Sequence, residues 1–392
     1  MSELSVVHTV STLREEVGGT SRSVTQLCDA LAREGLRVSL VSQHSSGADR
    51  GPLLSGQTSV SVSMVPLGRG LGRLQYASSF RTALEAAIRK GTCQLIHDHG
   101  VWLPSNFIAS RVAGKFGIPF VMSPHGMLES WALSHHVVRK RIAWTLYQKR
   151  IATEAAVVRA TSESEVESVR RLGIRTPVAV IPNGIQIPEA IEPPRPREKT
   201  GGKRALLLSR IHKVKGVVEL LEAWARVRPR DWTLSIVGPG EERYLEKVRR
   251  SIARLDLARC VTLRGLVSDD EKWPLYASAD LFILPSFSES FGLVIGEALA
   301  SGLPVITTTS TPWKAVAEHR CGWWISMGGD HAPLAAALAE ATTRSPAELQ
   351  DMGRNGRRLI GERYNWSAAA SATRELYDWM LKGGATPRFV HL

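Results

Sequence analysis

Glu289 and Glu297 stand eight residues apart in the stretch Pro285–Pro304. Carboxylates can each accept hydrogen bonds from hydroxyl groups, the chemistry that a sugar or a ribose requires. A solvated helix face would produce the same pair with no function. The surroundings sharpen the functional reading. Asp280–Leu284 is a short apolar run that reads as a buried strand. Ser286 to Ser288 suit a turn and cap, and Leu293, Ile295 and Leu299 suit a helix entered from that turn. The amides of Phe291, Gly292 and Leu293 would then open a helix, where orphan N–H groups and the helix dipole hold a phosphate.

Other candidates lie at the ends of apolar runs. Arg210 and Lys215 follow the strand-like run Arg204–Leu208. A fork of donors beside a point charge suits a diphosphate; a solvated basic loop is the alternative, and Lys213 belongs to that alternative. Gly18 and Gly19, between a strand and a helix, let backbone approach a ligand, although an ordinary tight turn needs the same residues. His125, in Ser123–Met127, follows a buried strand and can bond a substrate hydroxyl. His97-Asp98-His99 could suggest a metal, but the segment lacks a spaced third ligand and reads better as structural or as cleft lining. The chain has no Asp-x-Asp pair, which argues against a metal-held diphosphate. Asn183-Gly184 is a turn signal that needs no functional explanation.

These residues require a frame of alternating strands and helices. Leu4–Val10, Val38–Ser42, Val60–Val65, Leu95–His97 and Phe120–Met122 read as strands, with a helix over about 21–34. The pattern stops near Ile185, and the Pro- and charge-rich stretch 189–202 reads as a linker. A second set follows, with strands Arg204–Leu208, Thr233–Val237, Val261–Arg264, Leu281–Leu284 and Pro304–Thr307 and helices Val217–Val227 and Glu241–Leu255. The tail, about 367–381, reads as a helix. Such alternation predicts two α/β domains with parallel sheets and a binding cleft between them.

Composition bounds the function class. The 392 residues carry a net charge of +13, with 43% hydrophobic residues, ample for two domains. Residues 36–150 hold 14 Lys/Arg against four acids, a local +10 that favours a polyanion, an anionic membrane face or a phosphorylated substrate. General solubility is the competing explanation. No apolar run is long enough to span a bilayer, and no secretory signal is evident. Four scattered cysteines (Cys28, Cys93, Cys260 and Cys321) read as reduced thiols. The expected location is the cytoplasm.

Jointly the motifs resemble one family, the retaining family 4 glycosyltransferases of the GT-B fold. Those motifs are Val17–Gly19, Ser123–Gly126, Ile181–Gly184, Arg210 with Lys215-Gly216, and Glu289 with Glu297. Ser123–Leu133 further resembles the bacterial branch that builds O-antigen and other surface polysaccharides. The resemblance implies two facing Rossmann-like domains: residues 1–188, joined by a returning helix at about 367–392, and residues 203–366. The second would hold a nucleotide-diphosphate sugar, with Glu297 on the ribose and Glu289 on the transferred sugar. Arg210 and Lys215 would grip the diphosphate, helped by the amides of Phe291, Gly292 and Leu293 and by Gly18 and Gly19. Arg264 and Gly265, in the segment Thr262–Leu266, would lie near the base, and His125 beside the transferred sugar. Trp313, Trp323 and Trp324 depart from the usual pattern, leaving donor preference open.

The expected activity is hexosyl transfer with retention, without a metal or other cofactor, to a lipid-linked or other glycan acceptor. Nucleic acid is not an expected partner. His136–Arg150 places Val138, Ile142 and Leu146 at helical spacing among five basic residues; this suits a helix on an anionic membrane, or equally a core-packed helix with a basic rim. An epimerase or hydrolase on the same fold, or a non-catalytic sugar-binding protein, are the competing functions.

Overall fold

The computed structural model describes residues 4–13, 19–44, 59–66, 72–186 and 202–392. Gly18 and the expected linker up to residue 201 lie outside the described residues. The chain divides into two compact units, Met1–Gly184 with Trp366–Leu392, and Ile185–Asn365.

Among the described residues, seven parallel strands make the sheet of the first unit. They are β1 (Ser5–Val10), β2 (Arg37–His44), β3 (Ser61–Pro66), β4 (Leu95–His99), β5 (Phe120–Ser123), β6 (Val157–Ala160) and β7 (Val178–Val180). Their order is β3-β2-β1-β4-β5-β6-β7, and Val390–His391 adds an antiparallel edge beside β7. β1, β4, β5 and β6 are buried throughout, as expected for parallel strands covered on both faces. That is why β1, β4 and β5 read as short runs rather than as alternating ones. The helix Gly19–Arg33 buries Val24, Leu27, Cys28 and Leu31, the spacing of a single helix face. The helix Trp366–Lys382 returns to this unit, and its Ala370 and Tyr377 share a core with Val24, Leu27 and Leu31. Burying a leucine of this kind contributes about 1.5–3 kcal/mol, so the terminal helix is part of the first core.

The described residues of the second unit form six parallel strands: β8 (Lys203–Leu208), β9 (Trp232–Val237), β10 (Val261–Arg264), β11 (Leu281–Leu284), β12 (Val305–Thr308) and β13 (Gly322–Ile325). The order is β10-β9-β8-β11-β12-β13. In both sheets, therefore, the chain builds outward from its first strand, then returns to build on the other side. The loops after the two central strands part in opposite directions at this switch, and open α/β sheets bind ligands there. In the second unit those strands are β8 and β11.

The two loops are in contact. The Phe287 amide donates to the Val214 carbonyl at 2.7 Å. Gly216 has φ +66°, and a Cβ there would lie 2.2 Å from the Pro285 carbonyl oxygen. Only glycine satisfies both the left-handed backbone and this approach.

Candidate active site

Lys215 leaves the β8 loop just before the helix Val217–Val227, and Glu289 sits in the β11 loop. Their side chains form an ion pair, Lys215 Nζ to Glu289 Oε1, with both side chains 14% or less exposed. The Ser286 hydroxyl donates to the same carboxylate oxygen at 2.8 Å. Two residues distant by 74 positions are thus held across the switch point. Arg210 is exposed, and no ion pair ties it down among the described residues. It stands in the same β8 loop, a cation facing solvent.

The turn expected after β11 leads directly into a helix. Gly292, at φ +78°, caps the helix Leu293–Ala300. Trp313 is buried, lies tilted against Phe291 with ring centroids 5.3 Å apart, and donates its indole N–H to the Phe291 carbonyl at 2.5 Å. Trp324 donates to the Thr311 carbonyl at 3.2 Å. These tryptophans brace the loop that presents the helix N-terminus.

Glu297 lies deeper than its spacing suggests. It is buried, its Oε1 accepting from Lys272 Nζ at 2.6 Å and its Oε2 from the Tyr276 hydroxyl at 3.0 Å. Lys272 and Tyr276 share one helix at i, i+4, a spacing that puts both on one face. Arg264 ends β10 and pairs with Glu271 at 2.6 Å, while the Arg264 and Gly265 carbonyls accept from the Gly238 amide. Leu266 beyond them is 65% exposed.

In the first unit, His125 belongs to a buried polar cluster. His8 Nδ1 and His99 Nε2 are 2.9 Å apart, as are His99 Nδ1 and His125 Nε2. His97 contacts the Tyr377 hydroxyl at 2.6 Å and Ser123 Oγ at 2.7 Å. His125 adopts φ +50° and Gly126 φ +75°. Glu165 holds this bend by accepting from the Gly126 amide at 2.5 Å and the Thr161 amide at 2.7 Å. His97 and His99 alternate in β4, so both point to the same face, and parallel register pairs His97 with His8. Gly19 opens the first helix.

Burial sets the charge state here. His8 and His125 are pushed down to about 3, first by burial and then by the nearby Arg159 guanidinium. His97 and His99 are held well below the usual imidazole range for the same reasons, with the neighbouring histidines adding to the effect. Arg159 is itself buried, and its Nη2 donates to the Ile181 carbonyl at 3.0 Å and to Asn183 Oδ1 at 3.1 Å. Asn183, a turn residue by sequence, thus also serves as a partner to this arginine. Asp98 accepts from Thr9 at 2.6 Å and Asn106 at 2.8 Å, and burial raises it to about 7.

Sequence reasoning points to Lys215, Glu289, Glu297 and His125; it misses Lys272 and Tyr276, the partners of Glu297, and His8 and Tyr377, which meet His99 and His97 behind His125. The i, i+4 pairing of Lys272 and Tyr276 was a legible signal. The alignment of His8 with His97 requires the strand register.

Two family descriptions match the chain. Residues 18–184 match the glycosyl transferase 4-like domain, and residues 202–377 match the glycosyl transferases group 1. The chain belongs to the family 4 glycosyltransferases of the GT-B fold, and it is an enzyme that transfers a sugar. A D-inositol 3-phosphate glycosyltransferase of Catenulispora acidiphila is 27% identical, covering 93% of this chain and 90% of that relative. An MMP alpha-(1->4)-mannosyltransferase of Mycolicibacterium hassiacum is 28% identical, covering 76% of this chain and 74% of that one. Among solved structures, the sucrose-phosphate synthase of Thermosynechococcus elongatus superposes with a TM-score of 0.81 at 21% identity, over 97% of this chain and all of that one. Anabaena HepE in complex with UDP and glucose gives 0.76 at 19% identity, over 96% of this chain and all of that one.

The histidine cluster generates a pH prediction. An unfolded histidine takes up a proton near pH 6.5, whereas His8 and His125 in the folded chain do so only near 3. Between those values the unfolded state binds more protons, so stability falls as pH falls through the window. Asp98, raised from 3.8 to about 7, and Glu165, also raised by burial, act oppositely. Four histidines outweigh two carboxyls. Urea unfolding should therefore lose about 1.4 kcal/mol per pH unit for each net proton between about pH 6 and 4. A midpoint that rises on acidification through this range would contradict the assignment.

Proposed function

We propose that the chain is a retaining glycosyltransferase that moves a hexose from a nucleotide-diphosphate sugar to a glycan acceptor carried on a lipid. The observation that carries the reading is the Lys215–Glu289 pair, joined across the switch point of the second unit. A diphosphate seated there meets Lys215, the exposed Arg210 and the opening amides of the helix Leu293–Ala300. Glu289 lies one ion pair from that anion, placed to receive hydroxyls of the transferred sugar. UDP and glucose in HepE, which shares this fold, support a nucleotide-sugar donor.

Charge stabilisation can then drive the step. The bond between the anomeric carbon and the diphosphate oxygen breaks as the acceptor oxygen attacks from the same face. The acceptor proton passes to the departing phosphate. Arg210 and Lys215 neutralise the growing negative charge, so no metal is required for that role. Glu297 bonds the ribose through a carboxylate held rigid by Lys272 and Tyr276. His125 meets a sugar hydroxyl as a neutral base or donor.

The acceptor reading rests on the segment from Val137 to Glu154. Val138 is 72% exposed and Leu146 74%, with Ile142 and Phe107 also exposed, and Arg139, Arg141, Lys149 and Arg150 lie in solvent beside them. This supports the membrane-facing helix over the core-packed one. No helix among the described residues is long and apolar enough to cross a membrane. A surface contact is the mode proposed, in the synthesis of a bacterial surface polysaccharide on the cytoplasmic face of the inner membrane. The relatives named for D-inositol 3-phosphate favour a second acceptor class, a small phosphorylated polyol.

Nucleotide release from UDP- and GDP-hexoses, measured with and without lipid-linked glycan extract or a polyol phosphate, tests the function. Release that depends on an acceptor is expected; acceptor-independent release would make the chain a hydrolase. Arg210→Ala and Lys215→Ala should each lose about 2–4 kcal/mol of transition-state stabilisation while remaining folded. Glu289→Gln should lower kcat, and Glu297→Gln should mainly raise the donor KM. Wild-type turnover in the Lys215 and Glu289 variants would remove that pair from the site.

Replacing Arg139, Lys140 and Arg141 together by Gln should weaken binding to phosphatidylglycerol vesicles, each basic residue contributing roughly 1 kcal/mol. Absence of binding by the wild type at low salt would exclude the membrane contact.

A further inference from the structure

We infer that Tyr377, His8 and His99 are positioning residues that fix His125 as the tautomer with its proton on Nε2, leaving Nδ1 as an acceptor. The inference deepens the proposed function, because it specifies how His125 would meet a substrate hydroxyl. A file of side chains runs without a break from the end of β5 to His125. Ser123 Oγ contacts His97 Nε2 at 2.7 Å, and His97 Nδ1 contacts the Tyr377 hydroxyl at 2.6 Å. The same hydroxyl lies 3.4 Å from His8 Nε2. His8 Nδ1 then meets His99 Nε2, and His99 Nδ1 meets His125 Nε2, both at 2.9 Å.

A neutral imidazole has one N–H and one lone pair, so each contact dictates the next. Burial and Arg159 keep the four rings neutral. One bond then sets the direction of the whole file. The Tyr377–His97 contact, at 2.6 Å, is shorter than N–H···O bonds usually are and suits an O–H donor. A phenol is also a far stronger acid than a neutral imidazole. Tyr377 therefore donates to His97 Nδ1, and His97 donates through Nε2 to Ser123. The Tyr377 oxygen is left to accept from His8 Nε2. His8 Nδ1 consequently accepts from His99 Nε2, and His99 Nδ1 accepts from His125 Nε2. The lone pair at the end of the file is His125 Nδ1.

A metal is the other use of such a cluster, since His8, His97 and His99 bring nitrogens within 4.8 Å of one another. All six of their ring nitrogens already face protein partners or one another. The file accounts for every one of them. Tyr377 comes from the helix Trp366–Lys382, far from His125 in sequence, so that helix would determine the chemistry of a loop after β5.

Nitrogen-15 NMR of the full chain labelled at histidine reads the tautomer directly, with His125 assigned by its loss in His125→Gln. Long-range proton couplings at neutral pH should show His125 protonated on Nε2 alone. In Tyr377→Phe that signal should become a tautomer mixture, and kcat should fall about tenfold while the donor KM stays within about twofold. His99→Asn, whose amide oxygen stands where Nδ1 was, should recover most of the kcat that His99→Leu loses. His125 protonated on Nδ1, stoichiometric uptake of zinc, or unchanged tautomer and kcat in Tyr377→Phe would each overturn the inference. Failure of the proposed function is separable. If the tautomer follows Tyr377 but His125→Gln transfers sugar normally, the file stands and the role of His125 in transfer falls.

Discussion

Two loops that must touch at the centre of a parallel sheet are the constraint on which the second unit of this enzyme depends. β8 and β11 are neighbours whose following chains leave in opposite directions, and the crevice between those loops is where the sheet exposes backbone amides. Gly216 lets the β8 loop pass the Pro285 carbonyl, and the Val214–Phe287 bond fixes their register. Only then can Lys215 and Glu289 pair. A positive charge, a carboxylate and a helix N-terminus are thereby assembled in the candidate site, and in the proposed function this preorganisation spares reorganisation during transfer.

Buried charge is used differently in the two halves. In the second, Lys272 and Glu297 neutralise one another beneath the helix Leu293–Ala300, each side chain 8% exposed. Such a pair contributes little net stability, yet removing one partner strands the other at a cost of about 3–5 kcal/mol. Its effect is to hold a carboxylate in place. In the first unit the imidazoles avoid the problem by staying neutral, and Arg159, a buried cation in β6, helps to keep them so. The hydrogen bonds of the cluster then carry direction without carrying charge.

Much of the frame was legible because parallel strands buried on both faces appear as apolar runs. Val261–Arg264 and Leu281–Leu284 were read to the residue, as was the helix Val217–Val227. β7 escaped, being three residues long, and so did β6, whose apolar run Arg159 interrupts. β13 escaped because Gly322 and two tryptophans disguise a four-residue edge strand. Residue type alone suffices to pick out Lys215, Glu289 and His125 as candidates. Long-range partners were not legible, since Lys272 meets Glu297 across 25 positions and Tyr377 meets His97 across 280. Contacts of that span follow from strand order and helix docking, which local patterns do not encode.

Calorimetric titration of UDP and GDP into the intact chain tests the central claim, that the paired loops of the second unit hold a nucleoside diphosphate. The account predicts that one of the two binds at one site per chain, more weakly as salt rises. It further predicts that Lys215→Ala weakens that binding by at least about tenfold, roughly 1.4 kcal/mol, while Lys213→Ala, in the exposed part of the same loop, leaves it unchanged. Equal affinity in wild type and Lys215→Ala, or heat from neither nucleotide, would contradict it.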